Sequence, residues 1–260
     1  VGTAPSDRAI TPMPSGTFRL APTTGALSLF APVSGVALKP GRTGSAFGTD
    51  LFVARARVLN ARRKVTLQPG DGEIFRVHPT SAVIRVFTRT LDFAPTGMAF
   101  PPTGSPFSDN MFVTDFFGAG VRRISSTGNI SFLTPTPANL PGLHGLAFAP
   151  AGTSLFATQP NGGRIFQISS TGAFTSFATG MKSPIALAFG PGGISFGTDL
   201  YVSDAGNGTI WRINSTGGRT AFATGLGAPY GLVFSQTTPP SLSVTDYQSG
   251  TIFQFTPNSR

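Results

Sequence analysis

The 260-residue chain has no cysteine, which excludes a disulfide framework and thiol chemistry. Acids are scarce: Asp and Glu number 10 against 19 Lys and Arg, and Glu73 is the single Glu. The net charge of +9 therefore reflects few acids rather than a dense basic tract. Such a balance suits an anionic partner, or simply a dilute basic surface without one. No apolar run approaches the roughly 18 residues a membrane helix needs. No segment keeps a 3.6-residue apolar period, so almost no helix is expected. Phosphate-binding loops, a dinucleotide fingerprint and a nucleophile elbow are all missing; Gly190-Pro191-Gly192-Gly193 reads as a turn. The chain opens at Val1 rather than Met, as expected where a leader has been cleaved or the chain trimmed.

What the chain does have is 24 Phe, 33 Gly and 23 Pro, a composition for many short strands and tight turns. One line recurs: Gly97-Met98-Ala99-Phe100, Gly145-Leu146-Ala147-Phe148, Ala186-Leu187-Ala188-Phe189 and Gly231-Leu232-Val233-Phe234, with a weaker copy at Gly35-Val36-Ala37-Leu38. The four Phe residues lie 48, 41 and 45 residues apart. A second strand follows each line, such as Met111-Phe112-Val113-Thr114 or Leu200-Tyr201-Val202-Ser203, then a third, such as Arg164 to Ile168, and a fourth, such as Ala173 to Phe177. Four antiparallel strands at a period near 45 residues predict an all-β propeller, whose blades bury their faces only by stacking. The small, apolar first strand would crowd the axis, with its Phe packed between sheets.

The whole chain, 1–260, reads as one domain: 1–33 a partial blade or closing strands, 34–95 a blade carrying a basic insertion at 55–70, then blades at 96–143, 144–184 and 185–229, and a last blade at 230–260 without its outer strand. Thr17 to Leu20 and Ala26 to Phe30 match a third and a fourth strand. Six blades are favoured, one of them incomplete, in a natural chain that continues past Arg260. Five blades are the alternative, with Ala26 to Phe30 completing the last.

The unit Asp199 to Ile213 resembles the NHL-repeat type of propeller. The lead-in Gly227-Ala228-Pro229-Tyr230-Gly231-Leu232 is similar to repeats of NHL proteins, streptogramin lyases and the gluconolactonase-like group. Phe196-Gly197-Thr198-Asp199-Leu200 resembles repeats of secreted bacterial propellers of unassigned function. The resemblance implies a secreted or periplasmic setting. In its enzyme members it implies a divalent metal near the axis, Ca or Mg here. This sequence departs from that pattern, since Glu73 begins a third strand and no paired His and Glu is visible; Pro141-Gly142-Leu143-His144-Gly145 matches a lyase entry only loosely.

First strands start, and second strands end, at one face of a propeller. Ser34, Thr96, His144, Ile185 and Tyr230 should therefore ring one mouth together with Arg55, Asp115, Gln159, Asp204 and Asp246. Asp115, Asp204 and Asp246 are candidate metal ligands, and His144 a candidate catalytic base. Gln159 and Tyr230 are candidate ligand-binding residues. The competing reading has each Asp hydrogen-bonding its own turn and His144 merely lining the mouth. His78 and Trp211 read as structural. The insertion's Arg55, Arg57, Arg62, Arg63 and Lys64 could hold phosphate or acidic glycan, or form a solvated loop; it lacks interleaved aromatics for stacking bases, so nucleic acid is not expected. The favoured function is a binding or interaction module for a protein or glycan partner. The alternatives are a metal-dependent lactonase-like hydrolase or lyase, and a structural unit that self-assembles through an open blade edge.

Overall fold

The computed structural model describes residues 17–20, 27–31, 37–41, 44–58, 67–81, 83–90, 94–117, 120–133, 140 and 142–257. Short β-branched and aromatic stretches separated by Gly, Pro and Asn form antiparallel strands throughout. Four sheets have four strands each: β3–β6 (Ala37–Pro40, Leu51–Val58, Leu67–Val77, Ile84–Thr90), β7–β10 (Pro95–Ala99, Met111–Asp115, Val121–Ile124, Ile130–Phe132), β11–β14 (Leu146–Phe148, Leu155–Gln159, Arg164–Ile168, Phe174–Ala178) and β15–β18 (Pro184–Phe189, Leu200–Asp204, Thr209–Ile213, Arg219–Ala223). A fifth has three, β19–β21 (Pro229–Phe234, Leu242–Asp246, Ile252–Phe255). Helix is confined, among the described residues, to one turn at Gly193–Phe196 and a 3-10 turn at Pro160–Gly162.

The described residues thus contain five blades rather than the favoured six. The sixth set of outer strands exists, as β1 (Thr17–Leu20) paired with β2 (Leu27–Ala31), but these two form a sheet of their own. They do not join β21, so they do not complete the last blade either. Their register is nevertheless that of an outer strand pair. Thr17 faces Ala31 and, after a bulge, Phe18 faces Leu29, just as Ile165 faces Ala178 and Phe166 faces Ser176. Sequence pattern identified the strands; it could not say whether inner strands lie beside them.

Burial falls outward in each blade, from the fully buried β8 and β16 to the mostly exposed β10 and β18. Four core clusters each join two consecutive blades, and a fifth, around Val53, Phe75 and Val77, lies within the first blade. The repeated Phe is the joint. Phe100, Phe148, Phe189 and Phe234 pack back onto Phe52, Phe112, Phe156 and Tyr201 of the preceding blade, with ring centroids 5.6, 5.5, 5.3 and 5.2 Å apart. The last three pairs are edge to face and the Phe52–Phe100 pair is tilted; aromatic pairs of this kind add about 0.5–1.5 kcal/mol each beyond the area they bury. The last blade has Ser243 where its predecessors carry the receiving ring.

A second joint is polar. In β8, β12, β16 and β20 the residue before the terminal Asp or Gln is Thr114, Thr158, Ser203 or Thr245. Each hydroxyl accepts the N–H of its own inner strand, from Gly97, Gly145, Ala186 and Gly231 at 2.7, 2.7, 3.0 and 2.8 Å. Three of them also donate to the next blade, to the carbonyls of His144 (2.7 Å), Ile185 (2.7 Å) and Tyr230 (2.5 Å). Glycine is required at 97 and 145, because a Cβ there would lie 2.2 and 2.4 Å from the His144 and Ile185 oxygens. At Gly231 the nearest atom is 3.1 Å away and belongs to its own blade.

Candidate functional site

The predicted mouth exists as a face, but its acids do not converge on it. Pro95, Pro184 and Pro229 open their inner strands opposite Asp115, Asp204 and Asp246. Each buried carboxylate turns back to fasten the loop ahead of that Pro. Asp204 accepts the N–H groups of Lys182 (2.9 Å) and Ser183 (2.6 Å) and the Trp211 indole N–H (3.0 Å). Asp246 accepts from Ala228 (3.0 Å), Gln248 (3.0 Å) and Ser249 (2.9 Å). These backbone donors, Ser249 foremost, hold its pKa below the usual carboxylate range. Asp115 accepts from Ala94 (3.4 Å) and Phe117 (3.2 Å) and pairs with Arg122 at 3.2 Å. Trp211 and Arg122 occupy equivalent third-strand positions, so two blades each send a side chain inward to the Asp that ends their second strand. Trp211 therefore does more than pack.

Among the described residues no three His, Asp or Glu side chains are grouped closely enough to hold a metal. The donor set does not fit a divalent cation, since the three aspartates belong to separate blades and already serve backbone donors. Glu73 pairs with Arg89 at 3.1 Å on the first blade.

His144 and Tyr230 do meet. The Tyr230 hydroxyl lies 2.8 Å from His144 Nε2, and the rings cross edge to face at 5.4 Å. They start the inner strands of the third and fifth blades, so the bond spans the mouth in front of Ile185. Burial pushes the His144 imidazole down to about 4, opposed by a hydrogen bond with the Ile185 backbone. The ring is thus neutral at pH 7. Burial raises the Tyr230 pKa, with a smaller contribution from Tyr247, so the phenol stays protonated. With neutral His144 accepting at Nε2, this pair acts as a strut across the mouth.

Around it the face is aromatic. Tyr247 is 83% exposed, with its ring 6.3 Å from that of Tyr230. Phe117 is exposed beside Phe116, where a cleft of about 440 Å³ is lined by Gln159, Asn161 and Arg164. Tyr247 and Phe116 follow Asp246 and Asp115 directly, so the same turn presents both. The basic insertion is a lengthened β4–β5 hairpin that carries Arg55 and Arg57 on β4 by backbone position. Ser34, Arg62, Arg63 and Lys64 lie outside the described residues.

The opposite end of the inner strands encloses about 540 Å³, lined by all five blades. Among the described residues Lys39 is its single charged residue. Neither Lys39 nor Tyr247 was singled out from sequence.

No family model matches the chain, and no curated protein matches it. Solved structures do. Virginiamycin B lyase from Staphylococcus aureus superposes with a TM-score of 0.61 at 19% identity, over 92% of this chain and 72% of that one. A streptogramin B lyase gives 0.63 at 17%, over 93% and 72%. The chain is a β-propeller related in fold to the streptogramin lyases. An auxiliary nutrient binding protein from Bacteroides ovatus gives 0.64 at 12% identity, over 86% of this chain and 59% of its own length. At these identities the likeness is one of fold, and a propeller frame hosts many functions.

Proposed function

We propose that this propeller is a binding or interaction module that works outside the cytoplasm and presents the His144–Tyr230 face to a glycan. The exposed aromatic side chains on that face carry the reading. Tyr230, Tyr247 and Phe117 offer flat amphipathic surface at little entropic cost, and Gln159, Asn161 and Arg164 offer polar groups in the adjoining cleft. A sugar ring, apolar on its faces and hydroxylated at its edge, matches both, and Arg164 favours an acidic one. The resemblance of the repeats to secreted bacterial propellers supports the extracellular or periplasmic setting. The fold shared with an auxiliary nutrient binding protein is consistent with a binding role. The metal-dependent lactonase-like reading finds no matching donor set among the described residues.

The test is affinity electrophoresis through gels containing neutral or uronic-acid polysaccharides. Retardation that is lost in Tyr247→Ala and Phe117→Ala, with melting unchanged, supports the proposal. Retardation indifferent to both substitutions removes this face from consideration.

A further inference from the structure

The cavity at the far end of the inner strands breaks the repeat in one place. Lys39 pairs with Phe52 in the first blade, and the equivalent positions are Ala99, Ala147, Ala188 and Val233. Four blades thus keep a small apolar side chain here, and the first blade places an ammonium. The surrounding wall is mostly apolar, with Phe148, Leu187 and Leu232 within, Pro101, Pro150 and Pro191 at the strand ends, and Thr198 and Gln236 as uncharged polar residues. Among the described residues no carboxylate lines the cavity. The Lys39 head reaches the solvent of the cavity, while the protein around it displaces enough water to lower its pKa. With its head in solvent and no carboxylate among the described lining residues, the Lys39 ammonium has no counter-charge in the cavity, and a bound anion would supply one.

We propose that this cavity is a second binding site, separate from the aromatic face, and that it takes a small carboxylic acid with an apolar or aromatic body, the carboxylate on Lys39 and the body against the inner-strand wall. Its volume of about 540 Å³ lies within the usual range for small-molecule sites. The apolar wall disfavours a compact, fully hydrated anion such as inorganic phosphate, which would leave that surface unmatched. The proposal stands whether or not the aromatic face binds glycan.

The test is calorimetric titration of the whole chain with 4-phenylbutyrate, its neutral amide, and inorganic phosphate. The expected result is saturable binding of the acid at one site, at least about tenfold weaker binding of the amide, and loss of acid binding in Lys39→Met. Lys39→Met exchanges an exposed ammonium for an apolar chain of similar length, so its melting temperature should stay close to that of the parent, which separates lost binding from lost fold. Lys39→Arg keeps the charge and should retain binding. Acid and amide binding equally, acid binding that survives in Lys39→Met, phosphate competing as well as the acid, or no binding at millimolar concentration would each overturn the proposal. The Tyr247→Ala variant should bind phenylbutyrate as the parent does.

Discussion

Replacing Thr158 by Val tests the polar joint between blades. The hydroxyl is fully buried, accepts the Gly145 N–H at 2.7 Å and donates to the Ile185 carbonyl at 2.7 Å. Valine fills nearly the same space and makes neither bond. Two neutral hydrogen bonds contribute about 1 kcal/mol each, and the stranded, buried Gly145 N–H adds a desolvation cost of about 1–3 kcal/mol. The expected loss is about 3–5 kcal/mol, or roughly 6–20 °C in melting temperature at about 2–4 °C per kcal/mol for a chain of this size. The internal standard is Thr245→Val. That hydroxyl accepts the Gly231 N–H at 2.8 Å, but it is exposed, and no carbonyl of a following blade is among its partners in the described residues. Water can satisfy Gly231, so the loss should stay under about 1 kcal/mol. Thr158→Ser keeps the hydroxyl, as Ser203 already does in the next blade, and should recover all but the methyl's share of about 0.8 kcal/mol. Thermal melts followed by circular dichroism report all three. Equal losses in Thr158→Val and Thr245→Val, or no recovery in Thr158→Ser, would refute the inter-blade account.

Ile210 and Ile252 occupy equivalent third-strand positions, the first fully buried and the second 61% exposed. Ile210→Ala should therefore cost about 2–5 kcal/mol in urea unfolding, and Ile252→Ala under about 1 kcal/mol. Asp204→Ala strands two backbone donors and the Trp211 indole, and should cost about 3–5 kcal/mol, with a change in Trp211 fluorescence, whether or not divalent cations are present. His144 has a folded pKa of about 4 against an unfolded value near 6.5, so protonation favours the unfolded chain. Stability should be flat above pH 6.5 on its account and fall by about 2 kcal/mol as pH drops toward 4, after allowance for the solvent that reaches the ring. His144→Phe should flatten that window; the Asp246 contribution is lost lower, as pH falls below the ordinary carboxylate range.

The frame was legible because packing repeats. The Phe of each first strand had to meet a ring on the neighbouring sheet, and the spacing of those residues announced both strand order and blade length. The basic insertion was legible as an interruption of that spacing. The blade count was not, because Thr17–Leu20 and Leu27–Ala31 carry the pattern of an outer strand pair whether or not inner strands accompany them. The aspartates were placed correctly at the ends of their strands, but position does not give direction. The Pro opposite each Asp was the available signal: it starts a strand just after a loop whose N–H groups need an acceptor, and a buried carboxylate beside them is consumed there. The hydroxyl row was visible as Thr, Thr, Ser and Thr in one column, yet small polar residues in strands seldom announce a bond to the next sheet.

The column also shows where chemistry can enter such a frame. A position that repeats in every blade is held by its neighbours, so it can serve only the fold. Freedom begins where one blade departs. Lys39 stands in a column of small apolar residues. His144 and Tyr230 share theirs with Thr96 and Ile185, neither of which could complete the strut across the mouth. Tyr247 and Phe116 place rings where Pro160 and Ala205 stand in the same column, and Tyr247 is the strongly exposed one. None of these departures adds a contact between neighbouring sheets that the repeat requires, and three of them open onto a concave or exposed surface. Conversely, Asp115, Asp204 and Asp246, the residues most suggestive of catalysis by type, follow the repeat and are spent on it. In a propeller, the residue types that suggest a site are informative chiefly where they break the period.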